Sequence, residues 1–317
     1  MQTRILRALR IHEGYLSGEE ISRALNISRA AIWKYMDHLR ALGYEIEAFP
    51  HRGYRFVSAP DKLLPFEVQH GLGTRKFGCD VHHFESVAST MDEAFRLALE
   101  GYPEGTVVVA ESQTKGRGRM GRHWSSPKGR GIYFSLILRP GIPPSQASLL
   151  TLAAAVALSE AIETVVPQAQ ARIKWPNDLL VGGKKLCGIL TELRAETDRV
   201  QFVVVGVGIN VNNTAPQLLP EATSLRAETG VSWPRLLIFQ QVLRTFEKIY
   251  MAFLRHGPGA VLEGWKARSA TLGCRVRFTE RGVAFVGVAE ALADDGGLMV
   301  RLPDGKLVKR VAGDVLL

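Results

Sequence analysis

The sequence predicts an α+β multidomain protein in three parts: a small helical unit ending in a hairpin, a large domain on a mixed sheet, and a short all-β tail. Three observations carry this. Apolar residues recur at helical spacing as far as Gly43. From Val81, strand and helix patterns alternate without a regular βαβ order, as in a mixed sheet with helices on one side. After Thr271, short apolar runs are broken by the turns Asp294-Asp295-Gly296-Gly297 and Pro303-Asp304-Gly305.

In the first part (residues 1–60) Ile5, Leu6 and Leu9 form a stripe, and Ser17 with Glu20 forms a capping box before Ile21, Ala24 and Leu25. Asn26-Ile27 makes a turn. Ser28 caps a third helix whose Ile32, Tyr35, Met36, Leu39 and Leu42 share a face. Strands at 44–49 and 52–57, joined through Pro50 to Gly53, add a wing. This winged helix-turn-helix places Arg29, Ala30, Trp33 and Lys34, with the capping Ser28, where a DNA-reading helix needs them, and Arg52 at the wing tip where phosphate lies. Nine Lys/Arg against six Asp/Glu in this region leave a protein-contact role open. Residues 60 to 65 read as a linker.

The central part (66–270) is expected to hold strands at 81–84, 106–110, 132–138, 189–193 and 202–208, and helices at 90–99, 148–164 and 234–254. The alanine-rich run from Leu149 to Leu158 is shorter than the roughly 20 residues a membrane span needs, so a buried helix is expected and no membrane role. Residues 1 to 11 lack the apolar core of a signal peptide, which points to the cytoplasm. Cys79, Cys187 and Cys274 match neither a metal spacing nor a disulfide framework, and no metal site of the protein's own is expected.

The net charge of +9 suits a polyanionic partner. It is concentrated in Lys115, Arg117, Arg119, Arg122, Lys128, Arg130 and Arg139, a stretch with no acidic residue. Gly116, Gly118 and Gly121 formally satisfy G-x-G-x-x-G, but His-Trp-Ser-Ser-Pro follows instead of an apolar helix, which argues against a dinucleotide fold. There is no P-loop. A glycine- and arginine-rich loop between strands remains, able to offer backbone N–H groups and guanidinium forks to phosphate; a merely solvated basic loop is the plain alternative.

Two more segments follow in order: Lys174-Trp175-Pro176-Asn177-Asp178-Leu179 with Lys185-Leu186-Cys187-Gly188-Ile189 after a Gly182-Gly183 turn, and Gly206-Val207-Gly208-Ile209-Asn210. Together with the arginine loop, these resemble the GRGRxGRxW, KWPNDL, K-[LI]-x-G-[IL] and GxGIN patterns of the biotin protein ligases. The flanking winged helix and β tail match the bifunctional members that also act as biotin operon repressors.

The resemblance implies a biotin/lipoate ligase-like central fold and an SH3-like barrel of five strands at 271–317, built on Val276, Phe278, Val283, Phe285, Val286, Leu298, Val300, Leu302, Leu307, Val308 and Val311. It also implies the chemistry. Biotin and ATP, with Mg²⁺, form biotinyl-5′-AMP, and the biotinyl group passes to a lysine of the biotin carboxyl carrier protein of acetyl-CoA carboxylase. By motif match, biotin falls to Ser89, Thr90, Met91, Gln113, Gly116, Arg117, Gly118, Arg119, Lys185, Gly188, Gly206 and Gly208. ATP and the adenylate fall to Arg119, Arg122, Trp124, Asn177, Lys185 and Asn210. Lys185, Arg119 and Asp178 become the catalytic candidates, Asp178 either orienting the acceptor amine or holding Lys185. Ser89-Thr90 is otherwise a helix cap, and Lys185 otherwise a surface lysine beside a turn.

The sequence departs from the pattern at Met120, where arginine is usual, and at Met91, where a polar residue usually follows Ser-Thr. Operator DNA, a homodimer when biotinyl-5′-AMP is bound, and repression of biotin synthesis genes are further implications. A lipoate ligase and a non-enzymatic biotin-sensing repressor are the competing readings; the arginine loop and Lys185 argue against the second, since a sensor needs no triphosphate grip.

Overall fold

The computed structural model describes residues 1–196, 199–280, 283–311 and 313. The chain divides into two compact units, Met1–Lys62 and Leu63–Leu317.

The first unit comprises α1 (Gln2–Ile11), α2 (Gly18–Leu25), α3 (Arg29–Ala41), β1 (Glu45–Phe49) and β2 (Gly53–Ser58). Its core is the expected stripe: Ile5, Leu6, Leu9, Ile21, Ile32, Met36 and Leu39 are buried, joined by Tyr44 and Ile46. The Ser17–Glu20 capping box forms at both of its bonds, and Ser28 Oγ accepts the Ala31 N–H at 3.2 Å. The wing is pinned by paired backbone bonds between Leu16 and Tyr54, of 2.8 and 2.9 Å. That approach demands glycine at position 53, where φ is +108° and a Cβ would stand 2.2 Å from the Leu16 carbonyl oxygen.

The second unit follows α4 (Pro65–Gln69), which falls at the end of the stretch read as linker, with β3 (Val81–Phe84), α5 (Thr90–Leu99), β4 (Val107–Ala110), β5 (Ile132–Leu138), α6 (Ala147–Val165), β6 (Arg172–Lys174), β7 (Asp178–Val181), β8 (Lys184–Ala195) and β9 (Val200–Ile209). Then come α7 (Leu225–Thr229), α8 (Arg235–His256), α9 (Gly259–Ala267) and β10 to β13 (Arg275–Glu280, Val283–Leu292, Leu298–Arg301, Leu307–Arg310). Strands β3 to β9 make one sheet in the order β3-β4-β5-β9-β8-β7-β6. The β3–β4 pair is parallel and the others antiparallel, so the sheet is mixed as expected.

Helices cover both faces, a correction to the expectation of one. Every residue of β4 and β5 is buried, so neither face of those strands can be left to water. On one face Ala94, Leu97 and Ala98 of α5 pack on Val108, Ile137, Phe202 and Val204. On the other, α6 and α8 cover Val107, Val109, Phe134, Leu136 and Val205. Helix α6 is long and apolar enough to cross a membrane by composition, yet it is buried along most of its length as a core helix.

The β tail is a four-stranded antiparallel meander, β10-β11-β12-β13, where five strands were expected among residues that include 281–282, 312 and 314–317, which lie outside the described ones. Val276, Phe278, Ala289, Leu298 and Val300 join the core of the central sheet. Trp175 Nε1 donates to the Gly296 carbonyl at 3.1 Å. Val283 and Val311, among the apolar residues read as strand positions, are 56% and 67% exposed.

A buried ionic cluster ties five segments together. Arg235, opening α8, pairs with Glu111 at 2.9 Å, and the two side chains are 1% and 2% exposed. The other Glu111 oxygen accepts the Leu63 N–H at 2.9 Å and lies 3.3 Å from His83 Nε2. Arg235 also donates to the Gly131 carbonyl at 3.1 Å. With every charged atom met by a partner, the carboxylate can be held in the interior.

Candidate active site

The mixed sheet leaves its mid-section open beneath the arginine loop, and a cleft of about 770 Å³ lies there. Its floor exists because of missing side chains. At Gly208 a Cβ would come within 2.4 Å of the Trp124 ring, at Gly188 within 3.0 Å of the same ring, and at Gly206 within 2.3 Å of Met91 Sδ. Trp124 therefore lies flat on two glycines of neighbouring strands. Its Nε1 is buried without a partner among the described residues.

One end of the cleft is a preformed polar corner. Ser89 caps α5 by accepting the Met91 N–H at 3.2 Å. Thr90 donates from its N–H (2.9 Å) and hydroxyl (3.2 Å) to Gln113 Oε1, while Ser135 Oγ donates to Thr90 Oγ1 at 2.9 Å and Gln113 Nε2 to Ser126 Oγ at 3.0 Å. The cap reading of Ser89 and its place on the cleft wall hold together.

The other end is cationic. Lys185 Nζ stands 2.8 Å from Asp178 Oδ1 and 5.5 Å from the Trp124 ring centroid. Arg119 donates to Asn177 Oδ1 at 3.2 Å, and Asn177 Nδ2 to the Ile189 carbonyl at 2.8 Å. Asn210 Nδ2 donates to the Thr223 carbonyl at 3.0 Å. Hairpin β6–β7 brings Asp178 to this point, and the turn at Gly182 and Gly183, both at positive φ, returns the chain to Lys185.

The residues assigned to biotin, nucleotide and catalysis thus gather on one cleft, Arg117, Gly118 and Arg122 included, with one exception. Gly116 is buried behind the loop, where a Cβ would meet the Trp124 carbonyl oxygen at 2.5 Å, so it shapes the loop and does not line the wall. The basic stretch also divides. Arg117, Arg119 and Arg122 face the cleft; Arg139 is spent on the Ala98 and Tyr102 carbonyls, and Lys128 pairs with Glu85 at 2.9 Å. Lys174, His123 and the segment from Gln217 to Ala222 line the cleft as well. That last segment carried no motif; it arrives because the Lys185 N–H donates to the Glu221 carbonyl at 2.8 Å. Cys187 is buried and its thiol is pushed up by burial, so it has no place as a nucleophile.

On the first unit, Ser28, Arg29, Ala30, Trp33 and Lys34 form an exposed face of α3, Trp33 at 59%. Arg29 pairs with Glu19 at 3.1 Å. At the wing, Arg52 lies over the Tyr15 and Phe49 rings at 4.7 and 5.7 Å, which stiffens the tip.

The cleft thus joins a polar corner at a helix start to a cluster of lysine and arginines over a floor of glycines. Models of the biotin/lipoate A/B protein ligase family, an HTH domain and the biotin protein ligase C terminal domain match residues 83–210, 2–55 and 271–317. The chain is 42% identical to the bifunctional ligase/repressor BirA of Bacillus subtilis (strain 168) over 92% of its own length and 90% of that protein. It is 38% identical to the biotin--[acetyl-CoA-carboxylase] ligase of Mycobacterium tuberculosis, over 72% and 85%. The structure is similar to that of biotin protein ligase from Aquifex aeolicus in complex with biotin and ATP, with a TM-score of 0.63 and 29% identity over 75% of this chain and 98% of that one. The chain belongs to the biotin protein ligase family, with the domain set of its bifunctional ligase/repressor members.

Because Trp124 rests on Gly208, the substitution Gly208→Ala is expected to unseat the ring. Overpacking of this kind costs about 1–3 kcal/mol. Nucleotide affinity, measured by calorimetry, should fall by about tenfold, and the change in tryptophan emission should vanish in a Trp124→Phe background.

Proposed function

We propose that this protein activates biotin with ATP and transfers it to a lysine of a biotin carboxyl carrier protein, and that its first unit makes it a biotin-responsive repressor. The observation that carries the reading is the convergence of Lys185, Arg119 and Arg122 with the Thr90–Gln113 corner on one cleft.

Biotin's uncharged ring suits the polar corner, and its carboxylate then points toward Lys185. A carboxylate approaching a triphosphate is repelled, so cations must hold both. Lys185 sits between the two, while Arg119 and Arg122 reach the phosphates; Mg²⁺ brought with ATP would add to this neutralisation. A biotin carboxylate oxygen attacks the α-phosphorus, the bond to the bridging oxygen breaks, and pyrophosphate leaves. In the second step an unprotonated lysine amine of the carrier attacks the acyl carbon and AMP leaves. Asp178 serves as a positioning residue for Lys185. Trp124, with its unpartnered Nε1, supplies a stacking face and a donor for the nucleotide. Ser89, Met91, Gly118, Gly188, Gly206, Asn177 and Asn210 form the surrounding walls.

For the first unit, α3 reads an operator half-site and Arg52 contacts the backbone, with a homodimer assembled on biotinyl-5′-AMP spanning two half-sites. The reading places the protein in the cytoplasm.

The test is to incubate the protein with ATP, Mg²⁺ and labelled biotin, with or without a carrier domain. The expected result is acyl-adenylate and pyrophosphate without carrier, and labelled carrier with it. Labelling by lipoate in place of biotin would reassign the substrate, and no adenylate with either acid would leave only a regulator. In sedimentation, biotinyl-5′-AMP should raise the dimer fraction; an unchanged fraction removes the dimer switch.

A further inference from the structure

The arginine loop is a small hairpin. Arg117 and His123 bridge its base, the Gly118 N–H donates to the Arg122 carbonyl at 2.7 Å, and Met120 turns the tip at φ 56°. From this one hairpin, Arg119 reaches Asn177 and Trp124 reaches the glycine floor. Wherever the base goes, the phosphate-facing groups go with it. Backbone bonds from Thr114 and Lys115 to Val87 and Ala88 hold the segment leading into the hairpin, and at its base Arg117 adds an ionic tie to the walls: Nη1 pairs with Asp92 Oδ1 of α5 at 2.6 Å, and Nη2 stands 3.4 Å from each carboxylate oxygen of Glu192 on β8.

We infer that Asp92 and Glu192 form a two-sided latch on Arg117 that holds the hairpin closed over the bound acyl-adenylate, so that they set how long this intermediate is retained before transfer. The inference rests on the function proposed above. Neither acid lines the cleft, so both are positioning residues acting through Arg117. The geometry supports a latch in two ways. Asp92 and Glu192 come from two separate elements, so the guanidinium fork bridges the helix and the sheet flanking the cleft. Both carboxylates raise the affinity of Arg117 for its proton against the burial that opposes it, so the fork stays charged at every working pH. The plain role of Asp92, complementing the dipole at the start of α5, would support helix stability alone.

A latch between groups that are 35% to 52% exposed is screened by salt, and this separates it from a packing role. The probe is preformed biotinyl-5′-AMP, its release from the full-length protein followed by displacement with excess unlabelled adenylate. At low ionic strength the Asp92→Asn/Glu192→Gln protein should release it about tenfold faster than wild type, within the worth of two partly exposed pairs. The two rates should converge in high salt as the wild-type latch is screened. Arg117→Lys, which keeps the charge but loses the fork, should fall between. Single-turnover adenylate formation by the Asp92→Asn/Glu192→Gln protein should stay within about twofold of wild type.

Equal release rates at low salt would overturn the latch, as would a tenfold difference that persists unchanged in high salt. Asp92→Asn alone, at an exposed position, keeps the test alive if the double variant unfolds: its release should be faster at low salt only. Wild-type protein that does not retain the adenylate at all would instead sink the ligase reading.

Discussion

Lys185→Gln should reduce adenylate formation by about 10²–10³-fold, the usual effect of removing one donor aimed at developing charge. The fold should be untouched. The Lys185 side chain is 31% exposed, and the ion pair it makes among the described residues, to Asp178, is on the cleft wall. Pre-steady-state pyrophosphate release measures the first effect and thermal unfolding the second. Biotin binding should weaken far less than the rate falls, because the polar corner at Thr90 and Gln113 does not involve the lysine. A release rate within twofold of wild type would remove Lys185 from the chemistry. Asp178→Asn separates holding from reacting: it should lower the rate by a smaller factor, since the ammonium remains but is no longer fixed.

The largest effect on stability belongs to Arg235→Leu. Glu111 would keep its buried charge and lose its guanidinium partner, a change that costs about 3–5 kcal/mol. The pH dependence should change with it. In the wild type, burial pushes the Glu111 carboxyl up, but His83, the Arg235 charge and the Leu63 N–H together hold it below its ordinary range. A carboxyl depressed in the folded state contributes stability above its unfolded value, about 4.3, and loses that contribution as pH falls through the folded value. In Arg235→Leu, burial prevails and the folded carboxyl moves above its unfolded value. Its contribution then declines as pH rises from the unfolded to the raised value, opposite in sign. Urea titrations from pH 4 to 7 would show this, and parallel slopes for the two proteins would refute the account.

Ser17, Glu20 and Ser28 announced their helix starts because a capping bond lies within three residues of its donor, and the α1–α3 stripe was legible because one face of a helix repeats locally. Strands β6 and β7 were not legible. One is three residues long, the turn after it contains Pro176, and their pairing depends on β8. Both-sided helix cover was missed although continuous apolar runs such as Val107–Ala110 carried its signal. In the site, the motifs marked nearly every wall, but the stretch from Gln217 to Ala222 has no local pattern and is held at the cleft by the backbone bond from Lys185 to Glu221.

The order of motifs, the identity of the charged side chains and the local caps are properties of neighbouring residues, and reading them needs no fold. Which arginines serve the cleft is different. Arg117 and Arg119 face it while Arg139, in the same basic stretch, is consumed by the carbonyls of Ala98 and Tyr102. A guanidinium's role depends on which acceptors lie within about 3 Å of it, and those acceptors come from elements tens of residues away. Packing of helices on both sheet faces puts them there.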